Sequence, residues 1–294
     1  MRELIEKAGV LVEALPYIQR FRGAIVVIKF GGSAMEERSL YESILTDIAL
    51  MECVGMKPVV IHGGGKAISR RMKAAGLAPV FVRGLRVTDE AAMAVVASVL
   101  GKEVNPEIVE SLAARGCRAQ GIMGQNIIWA RKHMETDPAS GERIDLGFVG
   151  AVIGVDTGPI RECVEQDRVP VITPLGMGED GALYNINADD AAAAVAARLR
   201  ARKLVFLSDV PGLMRNPADP ASVISTVRAG DVDRLIAEKV IDGGMLPKVR
   251  GGLDALRSGV GKAHIIDGRM PHSLLLEVLT DRGVGTEIVR NDQD

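Results

Sequence analysis

The sequence predicts an α/β protein in which a mostly parallel sheet lies between two layers of helices. Short aliphatic runs, such as residues 25–28, are bounded by glycines or polar turns, which is typical of buried strands. Helical patterns separate these runs, and strands that alternate with helices form parallel sheets covered on both faces. Hydrophobic residues make up 47% of the chain but aromatic residues only 3%, so aliphatic side chains and alanine must fill the core.

The N-terminal half begins with an amphipathic helix over 3–15. Its apolar residues fall at helical spacing, and Pro16 is expected to end it. The apolar face needs a partner on its own subunit or on a neighbouring one. Strands are then expected at 24–29 and 58–61, a short hairpin at 80–87, and β-rich structure over 117–156 with polar turns at 136–142. Helices are expected at 40–54, 66–75, 89–100, 105–114 and 159–167.

The C-terminal half repeats this alternation. Strands are expected at 169–173, 182–186, 203–208, 262–266 and 284–289, and helices at 189–201, 230–240, 246–258 and 271–279. The turn-rich segment 174–178 is the best candidate for a boundary between lobes. The predicted organisation is therefore a terminal helix over 1–20 and one domain over 21–294, divided into lobes over 21–175 and 176–294.

Composition disfavours several classes of partner. The formal net charge is -2 with no basic block, so neither nucleic acid nor a membrane surface is an expected partner. Cys53, Cys117 and Cys163 are far apart, which disfavours a disulfide framework or a zinc site. Acidic residues interrupt any apolar run near the N-terminus, and no stretch of about 18 apolar residues occurs. We therefore expect a cytoplasmic protein.

Three glycine-rich or polar segments follow predicted strands, where open α/β sheets bind their ligands. The first is Lys29-Phe30-Gly31-Gly32-Ser33, in which a cation stands beside bare amides that an anion can approach. A strand-end lysine in solvent followed by a turn would give the same local sequence. This motif therefore indicates an anion site only when other anion-binding motifs accompany it in the sequence.

The second and third segments supply that company. His62-Gly63-Gly64-Gly65 can present N–H groups at a helix N-terminus, although a flexible turn is the alternative. The third segment, Asn185-Ile186-Asn187-Ala188-Asp189, leads into an alanine-rich helix. Asn187 or Asp189 could cap that helix. Asp189 could instead accept hydrogen bonds from lysine ammonium groups and hold them in place.

Two further cations complete the set of candidate residues. Arg86 lies in Gly84-Leu85-Arg86-Val87-Thr88, and a guanidinium can bind a carboxylate with two hydrogen bonds. Lys248 opens a helix after Pro247, where a cation opposes the helix dipole and indicates a nearby anion. Two lysines, an arginine and two glycine loops suit phosphoryl transfer by positioning and charge neutralisation.

Two common nucleotide motifs are rejected. Residues 176–181 match G-x-G-x-x-G, but a strand rather than a helix follows, so a hairpin is predicted there. Gly63-Gly64-Gly65-Lys66 lacks both the spacing and the Ser or Thr of a P-loop.

In this order and at these separations, the segments resemble the amino acid kinase family over residues 24–289. They also include Gly244-Met245-Leu246-Pro247-Lys248. Within the family, the resemblance is to enzymes that phosphorylate N-acetyl-L-glutamate in arginine biosynthesis. It implies a three-layer αβα sandwich whose N-terminal lobe binds the acetylated amino acid and whose C-terminal lobe binds ATP with its Mg²⁺. The implied products are N-acetylglutamyl 5-phosphate and ADP.

The resemblance also implies a role for each candidate residue. Lys29 and Lys248 neutralise the transferring phosphoryl group, and Asp189 orients both. The residues implied to hold N-acetylglutamate are Gly64, Gly65, Arg86, Asn185 and Asn187, with Arg86 on the α-carboxylate. Those implied to lie at the nucleotide and its phosphates are Gly31, Gly32, Ser208, Asp209, Gly212 and Leu213.

The terminal helix resembles one found in arginine-inhibited members of the family, where it interlaces dimers into a ring-shaped homohexamer, a trimer of dimers. An ordinary terminal helix packed on its own subunit is the alternative. The residues implied to form the inhibitory L-arginine site are Tyr17, His272, Glu277, Gly283 and Gly285.

Two alternative functions are retained. A sibling kinase acting on aspartate, glutamate, carbamate or a nucleoside monophosphate would share the lysine–glycine start. A non-catalytic arginine sensor on the same scaffold is the other, and the intact Lys29, Asp189 and Lys248 argue against it.

Overall fold

The predicted α/β fold is confirmed by the computed structural model, which describes residues 1–137, 140–280 and 283–291. The strands are β1 (Ile25–Phe30), β2 (Lys57–His62), β3 (Phe81–Val82), β4 (Leu85–Arg86), β5 (Ala119–Ile122), β6 (Ile128–Thr136), β7 (Arg143–Val155), β8 (Val169–Ile172), β9 (Leu175–Gly178), β10 (Leu183–Ile186), β11 (Lys203–Ser208), β12 (Thr226–Arg228), β13 (Lys262–Asp267) and β14 (Thr286–Val289).

The helices lie close to the predicted positions. They are α1 (Arg2–Phe21), α2 (Arg38–Cys53), α3 (Gly65–Ala74), α4 (Glu90–Ser98), α5 (Asn105–Ala113), α6 (Gly158–Glu165), α7 (Ala188–Leu199), α8 (Val232–Ala237), α9 (Met245–Arg257) and α10 (Ser273–Leu279). A wider π-helical turn, Val99–Val104, joins α4 to α5 without a break, so the two predicted helices form one continuous helical segment.

The central sheet contains eight strands of the described chain, in the order β12-β14-β13-β11-β1-β2-β8-β5. Every neighbouring pair is parallel except β13 and β14. Because side chains alternate across a strand, Val27 faces one hydrophobic layer while Val26 and Ile28 face the other. Strands buried on both faces explain the unbroken aliphatic runs of the sequence.

A second, smaller sheet closes on itself through β6, β7, β9 and β10. The predicted hairpin at 176–181 is confirmed, since β9 and β10 pair antiparallel around it. The turn predicted at 136–142 falls partly outside the described residues. The boundary proposed at 174–178 stays a prediction.

Helix α1 is longer than the sequence suggested. The prediction that Pro16 ends it is wrong, because the helix continues through Pro16 to Phe21. A proline removes one backbone hydrogen bond, but its fixed φ remains compatible with helical geometry. Most apolar side chains of α1 are exposed, among them Leu4, Leu11 and Val12. None of the helices in the described residues is long and apolar enough to cross a membrane.

Candidate active site

The carboxyl ends of β1, β2 and β11 meet at one edge of the central sheet. Lys29 in β1 lies in register with Ile61 of β2 and Phe206 of β11, so the loops that follow these strands are neighbours. This arrangement brings the glycine segment 31–32, the glycine loop 63–65 and Asp209 to the same edge. The expected position of ligand-binding loops in a parallel sheet is at this edge.

Two lysines from distant parts of the chain share one carboxylate at this edge. Lys29 Nζ lies 3.2 Å from Asp189 Oδ1, and Lys248 Nζ donates a hydrogen bond of 2.8 Å to Asp189 Oδ2. Helix α7 begins just before Asp189, and α9 carries Lys248 in its first turn. All three side chains are largely buried, with 12%, 8% and 12% of Lys29, Asp189 and Lys248 exposed. The arrangement expected for Asp189 is therefore present.

The cluster carries a net positive charge in a poorly solvated place. Burial alone would raise the pKa of Asp189, but the Lys29 and Lys248 ammonium groups outweigh burial and hold that pKa below its usual range. One ionised carboxylate between two ammonium groups leaves a surplus of one positive charge. Each ammonium keeps further N–H donors. The cluster can therefore stabilise an anion that comes between the two lysines.

Two glycine loops pack directly against each other beside Lys29. The Gly63 N–H donates to the Phe30 carbonyl oxygen at 2.7 Å. A Cβ built at Gly31 would lie 3.4 Å from the Gly63 Cα and 3.3 Å from Lys29 Nζ. A side chain at Gly31 would crowd both the Lys29 ammonium and the Gly63 backbone, so glycine at this position keeps the space beside the lysine open. Gly64 caps α3 and Gly65 is its first residue.

Arg86 is a buried cation, with only 6% of the residue exposed. Its guanidinium lies 4.6 Å from the centre of the Phe81 ring, and its Nη2 donates to the Gly65 carbonyl and Ser69 Oγ, both at 2.8 Å. Burial lowers the pKa of Arg86. Within the described residues no carboxylate pairs with it, so the guanidinium can take an anionic ligand next to the glycine loop.

The two asparagines of the third segment do different things. Asn187 caps α7, because its Oδ1 accepts a hydrogen bond of 2.8 Å from the Asp189 N–H. Of the two residues expected as possible caps, Asn187 and Asp189, the cap is therefore Asn187. Asn185 donates through Nδ2 to Thr88 Oγ1 at 3.2 Å. Its Oδ1 is not engaged by that bond and can accept from a ligand.

Thr88 is a residue that the sequence reasoning missed. It is completely buried, and its hydroxyl donates to the Arg86 carbonyl at 2.8 Å. Because the Thr88 hydroxyl uses its one hydrogen on the Arg86 carbonyl, it can only accept from Asn185. The NH₂ group of the Asn185 amide must therefore face Thr88. Thr88 stands in the motif that drew attention to Arg86, but the sequence gives no sign of the contact with Asn185.

The proposed nucleotide residues fall into two places. Asp209 follows β11 and accepts from the Ser33 N–H at 3.0 Å, and Gly32, with φ +71°, lies against its carboxylate. Ser208, the last residue of β11, is buried. Gly212 and Leu213 lie farther along the loop against β14, where the Leu213 N–H donates to Thr286 Oγ1 at 2.8 Å.

A separate cleft of about 1090 Å³ lies near the start of β11 and the end of α1. Tyr17, Glu277, Gly283 and Gly285, all proposed for the arginine site, line it together. Gly285 has φ +100°, and a Cβ there would lie 2.3 Å from a carbonyl oxygen, so this position requires glycine.

His272 is not among the residues that line this cleft. Its Nδ1 lies 2.6 Å from Asp47 Oδ1 on α2, and its N–H donates to Ser43 Oγ. The histidine of the cleft is His264, in the middle of β13. The one sequence signal for His264 was its position in an otherwise apolar strand. The spacing of residues could not show which histidine faces the cleft.

Glu277 is a buried acidic residue that lines the cleft. Its Oε1 accepts from Lys203 Nζ at 2.9 Å and lies 2.8 Å from His264 Nδ1. Burial would raise the pKa of Glu277, but His264 and Lys203 hold that pKa below its usual range. The cleft also carries the exposed or half-buried Arg228 and Glu287, so it presents both signs of charge.

The fold and the lysine–carboxylate edge together define a protein of the phosphoryl-transfer type, and sequence comparison agrees. The sequence pattern of the amino acid kinase family matches residues 24–267, and the chain belongs to that family. An acetylglutamate kinase of Heliobacterium modesticaldum is 50% identical over 99% of this chain and 100% of its own. Another from Symbiobacterium thermophilum is 48% identical over 98% of this chain and 99% of its own. The chain therefore falls in the acetylglutamate kinase branch of the family, as predicted.

Solved structures give the same fold. An N-acetylglutamate synthase from Neisseria gonorrhoeae, complexed with coenzyme A and N-acetyl-glutamate, is 28% identical with a TM-score of 0.84. The match covers 97% of this chain but 64% of the synthase chain, so this protein spans about two thirds of the synthase. The same synthase complexed with coenzyme A and L-arginine matches with a TM-score of 0.78, over 96% of this chain and 65% of that one.

Proposed function

We propose that this protein transfers the γ-phosphoryl group of ATP to the γ-carboxylate of N-acetyl-L-glutamate, as an enzyme of arginine biosynthesis. The observation that carries the proposal is the buried Lys29–Asp189–Lys248 cluster, with its surplus positive charge beside two glycine loops. The near full-length acetylglutamate kinase relatives name the acceptor.

The reaction needs no general base. A carboxylate is already ionised near neutral pH, so its oxygen attacks the γ-phosphorus directly. The bond from the γ-phosphorus to the bridging oxygen breaks, ADP leaves with the bonding pair, and no proton is transferred. Lys29 and Lys248 lower the barrier by lying on either side of the group whose negative charge is redistributed.

Asp189 keeps the two ammonium groups in place and remains ionised while they are charged. Without it, two neighbouring buried cations would repel each other. Mg²⁺ would enter with ATP as part of the substrate and would offset phosphate charge there.

The acceptor site is assigned mainly to the N-terminal lobe, with Asn185 contributed by the C-terminal lobe. Arg86 binds the α-carboxylate, because it is a buried guanidinium beside the first turn of α3. Asn185 presents its amide oxygen to an N–H donor of the substrate. Gly64 and Gly65 provide backbone N–H groups for anionic oxygens, and Asp209 and Ser33 lie on the nucleotide side.

The decisive experiment measures ADP release by the purified chain across a panel of acceptors. The panel contains N-acetyl-L-glutamate, L-glutamate, L-aspartate, carbamate and a nucleoside monophosphate. We expect the largest kcat/KM with N-acetyl-L-glutamate. A larger value with another acceptor would identify a sibling kinase, and no transfer to any acceptor would reject catalysis.

We further propose that L-arginine inhibits the enzyme by binding in the cleft around Glu277. The cleft is lined by the buried Glu277 carboxylate and by cations that include Arg20 of α1 and Lys203 of the C-terminal lobe. Arginine has a guanidinium at one end and an ammonium and a carboxylate at the other, so a cleft with both signs of charge suits it. The synthase that was solved with L-arginine has the same fold over nearly the whole of this chain. Repeating the acceptor assay with arginine tests the inhibition.

The exposed apolar residues of α1 support a third proposal, that this helix packs against a second copy and builds a homohexamer. Leu4 is 63% and Leu11 74% exposed, and a continuous apolar face of this kind marks an interaction surface. Tyr17 at the end of the helix lines the arginine cleft, so assembly and inhibition would share one element.

A further inference from the structure

His62 and Asn105 form a buried polar pair beneath the glycine loop 63–65. His62 is 0% and Asn105 2% exposed. His62 is the last residue of β2, and Asn105 is the first residue of α5. Neither side chain reaches the lysine cluster. Buried polar groups outside the reacting centre still need partners, and the partners reveal what this pair does.

The contacts of Asn105 determine which nitrogen of His62 carries the proton. Asn105 Nδ2 lies 2.9 Å from the Val171 carbonyl oxygen, which can only accept, so the NH₂ group must face it. The second hydrogen of this NH₂ group is directed at His62 Nε2, 3.1 Å away. Nε2 therefore accepts, and the neutral imidazole carries its proton on Nδ1. Glycine at position 121 is required, since a Cβ there would lie 2.3 Å from Asn105 Oδ1.

The other nitrogen of His62 holds the glycine loop. Nδ1–H donates to the Gly63 carbonyl oxygen at 2.8 Å. In a planar trans peptide, the carbonyl of one residue and the N–H of the next point in opposite directions. Because the imidazole holds the Gly63 carbonyl inward, the Gly64 N–H points away from the core. Within the described part of the chain, no acceptor bonds that N–H.

The glycine loop that carries this N–H packs against the segment that follows Lys29. The Gly63 backbone contacts Gly31, which is adjacent to Lys29 Nζ. The residue that precedes the backbone donor, Gly63, and the Lys29 ammonium therefore both lie next to Gly31. Donors fixed before the reaction stabilise developing negative charge without the cost of reorganisation.

We propose that His62 is a positioning residue for phosphoryl transfer, whose Nδ1–H, fixed by Asn105, turns the Gly64 N–H toward the reacting anion. The proposal rests on the proposed function of the lysine cluster. His62 itself touches no substrate and exchanges no proton. In agreement with this, burial lowers the pKa of His62 to about 4, so the ring stays neutral where the substrate carboxylate is ionised.

Kinetics of two His62 variants test the role. An asparagine amide nitrogen can occupy nearly the place of Nδ1, so His62→Asn keeps a donor, whereas His62→Leu removes it. We expect His62→Leu to lose about 10²-fold in kcat, as for a lost oxyanion donor, with little change in KM for ATP. His62→Asn should retain most of the kcat. The control, Lys132→Ala, removes an exposed lysine that pairs with Asp145 and should behave as wild type.

An equal loss in His62→Leu and His62→Asn, or a wild-type kcat in His62→Leu, would overturn the proposal. If His62→Leu does not fold, a second measurement decides. In ¹⁵N-histidine-labelled wild-type chain, which has four histidines, solid-state NMR should show the His62 ring as neutral and protonated at Nδ1 from pH 6 to pH 8. That signal should disappear in His62→Asn.

A His62 ring protonated at Nε2, or charged at pH 7, would reject the proposal whatever the kinetics. The two measurements also separate this proposal from the proposed function. If the wild-type chain phosphorylates no acceptor, catalysis fails and the positioning role fails with it. If it does so normally while the NMR signal is absent, only the positioning role fails.

Discussion

At the scale of single residues, the candidate site depends on one carboxylate. Asp189 holds two cations that would otherwise repel each other, and all three groups are shielded from water. Interactions between charges are stronger in such a place than at the surface. Removing a member should therefore affect the transition state more than the binding of either substrate.

The first prediction concerns the two lysines. Lys29→Ala and Lys248→Ala should each lower kcat by roughly 10²–10³-fold, because each removes one stabiliser of the transferring group. Steady-state kinetics should show much smaller changes in KM. Lys132→Ala, which removes an exposed lysine paired with Asp145, is the matched control. Near-normal kcat in either lysine variant would reject its catalytic role.

The second prediction concerns Thr88 and the acceptor. Thr88→Val keeps the shape but removes the hydroxyl that fixes Asn185, and should raise KM for N-acetyl-L-glutamate by about tenfold, the equivalent of one hydrogen bond. KM for ATP should be unchanged. Thr88→Ser restores the hydroxyl and should restore KM. Equal rises in both KM values would indicate a general loss of structure.

At the scale of elements, α1 differs from every other helix described here. The other helices bury an apolar face against the central sheet or one another, whereas most of the apolar face of α1 is exposed. Only its end packs on the chain, where Phe21 is buried and Lys203 Nζ lies 5.3 Å from the ring. An element with this distribution is suited to link one subunit to another.

The third prediction follows from that exposure. Deleting residues 1–20 should give smaller oligomers by light scattering, and weaker inhibition by arginine, because Tyr17 is lost from the cleft. A single change on the apolar face, Leu11→Glu, should weaken assembly alone, while Glu13→Gln on the same helix should not. Unchanged oligomers in both the deletion and Leu11→Glu would contradict the proposal.

At the scale of the whole molecule, the two clefts use different parts of one sheet. The lysine cluster lies where β1 and β2 end, whereas Lys203 of β11 and His264 of β13 line the second cleft, which is proposed to bind arginine. Strand β11 reaches both, since it begins at Lys203 and ends at Ser208 before Asp209. A ligand that binds in either cleft should therefore raise the free energy of unfolding of the same folded domain.

The fourth prediction uses this linkage. Arginine at 100 times its Kd should raise the free energy of unfolding by about 2.7 kcal/mol, since it binds only the folded chain. Glu277→Gln should lose most of that increment relative to its own ligand-free state, because the carboxylate paired with Lys203 and His264 is gone. Glu179→Gln, in an exposed turn, is the control. A full increment in Glu277→Gln would place arginine elsewhere.

Much of the architecture could be predicted because local patterns carry it. Buried parallel strands form aliphatic runs and the helices form amphipathic patterns, so most elements lie close to their expected positions. Strand β9, in a segment expected to be turn-rich, and the short β12 were not expected. The prediction for Pro16 was wrong because the other hydrogen bonds of a long helix can offset the one that the proline removes. Choosing between His264 and His272 needed the direction of each side chain, which depends on packing between elements distant in sequence.

The sequence by itself determined the elements, the glycine loops at strand ends, the chemical character of Lys29, Asp189 and Lys248, and the family. Only the tertiary structure decided that both lysines meet one carboxylate, that Thr88 orients Asn185, and that Asn105 fixes the proton of His62. Local order is encoded in neighbouring residues, whereas these contacts join segments that only the assembled sheet brings together.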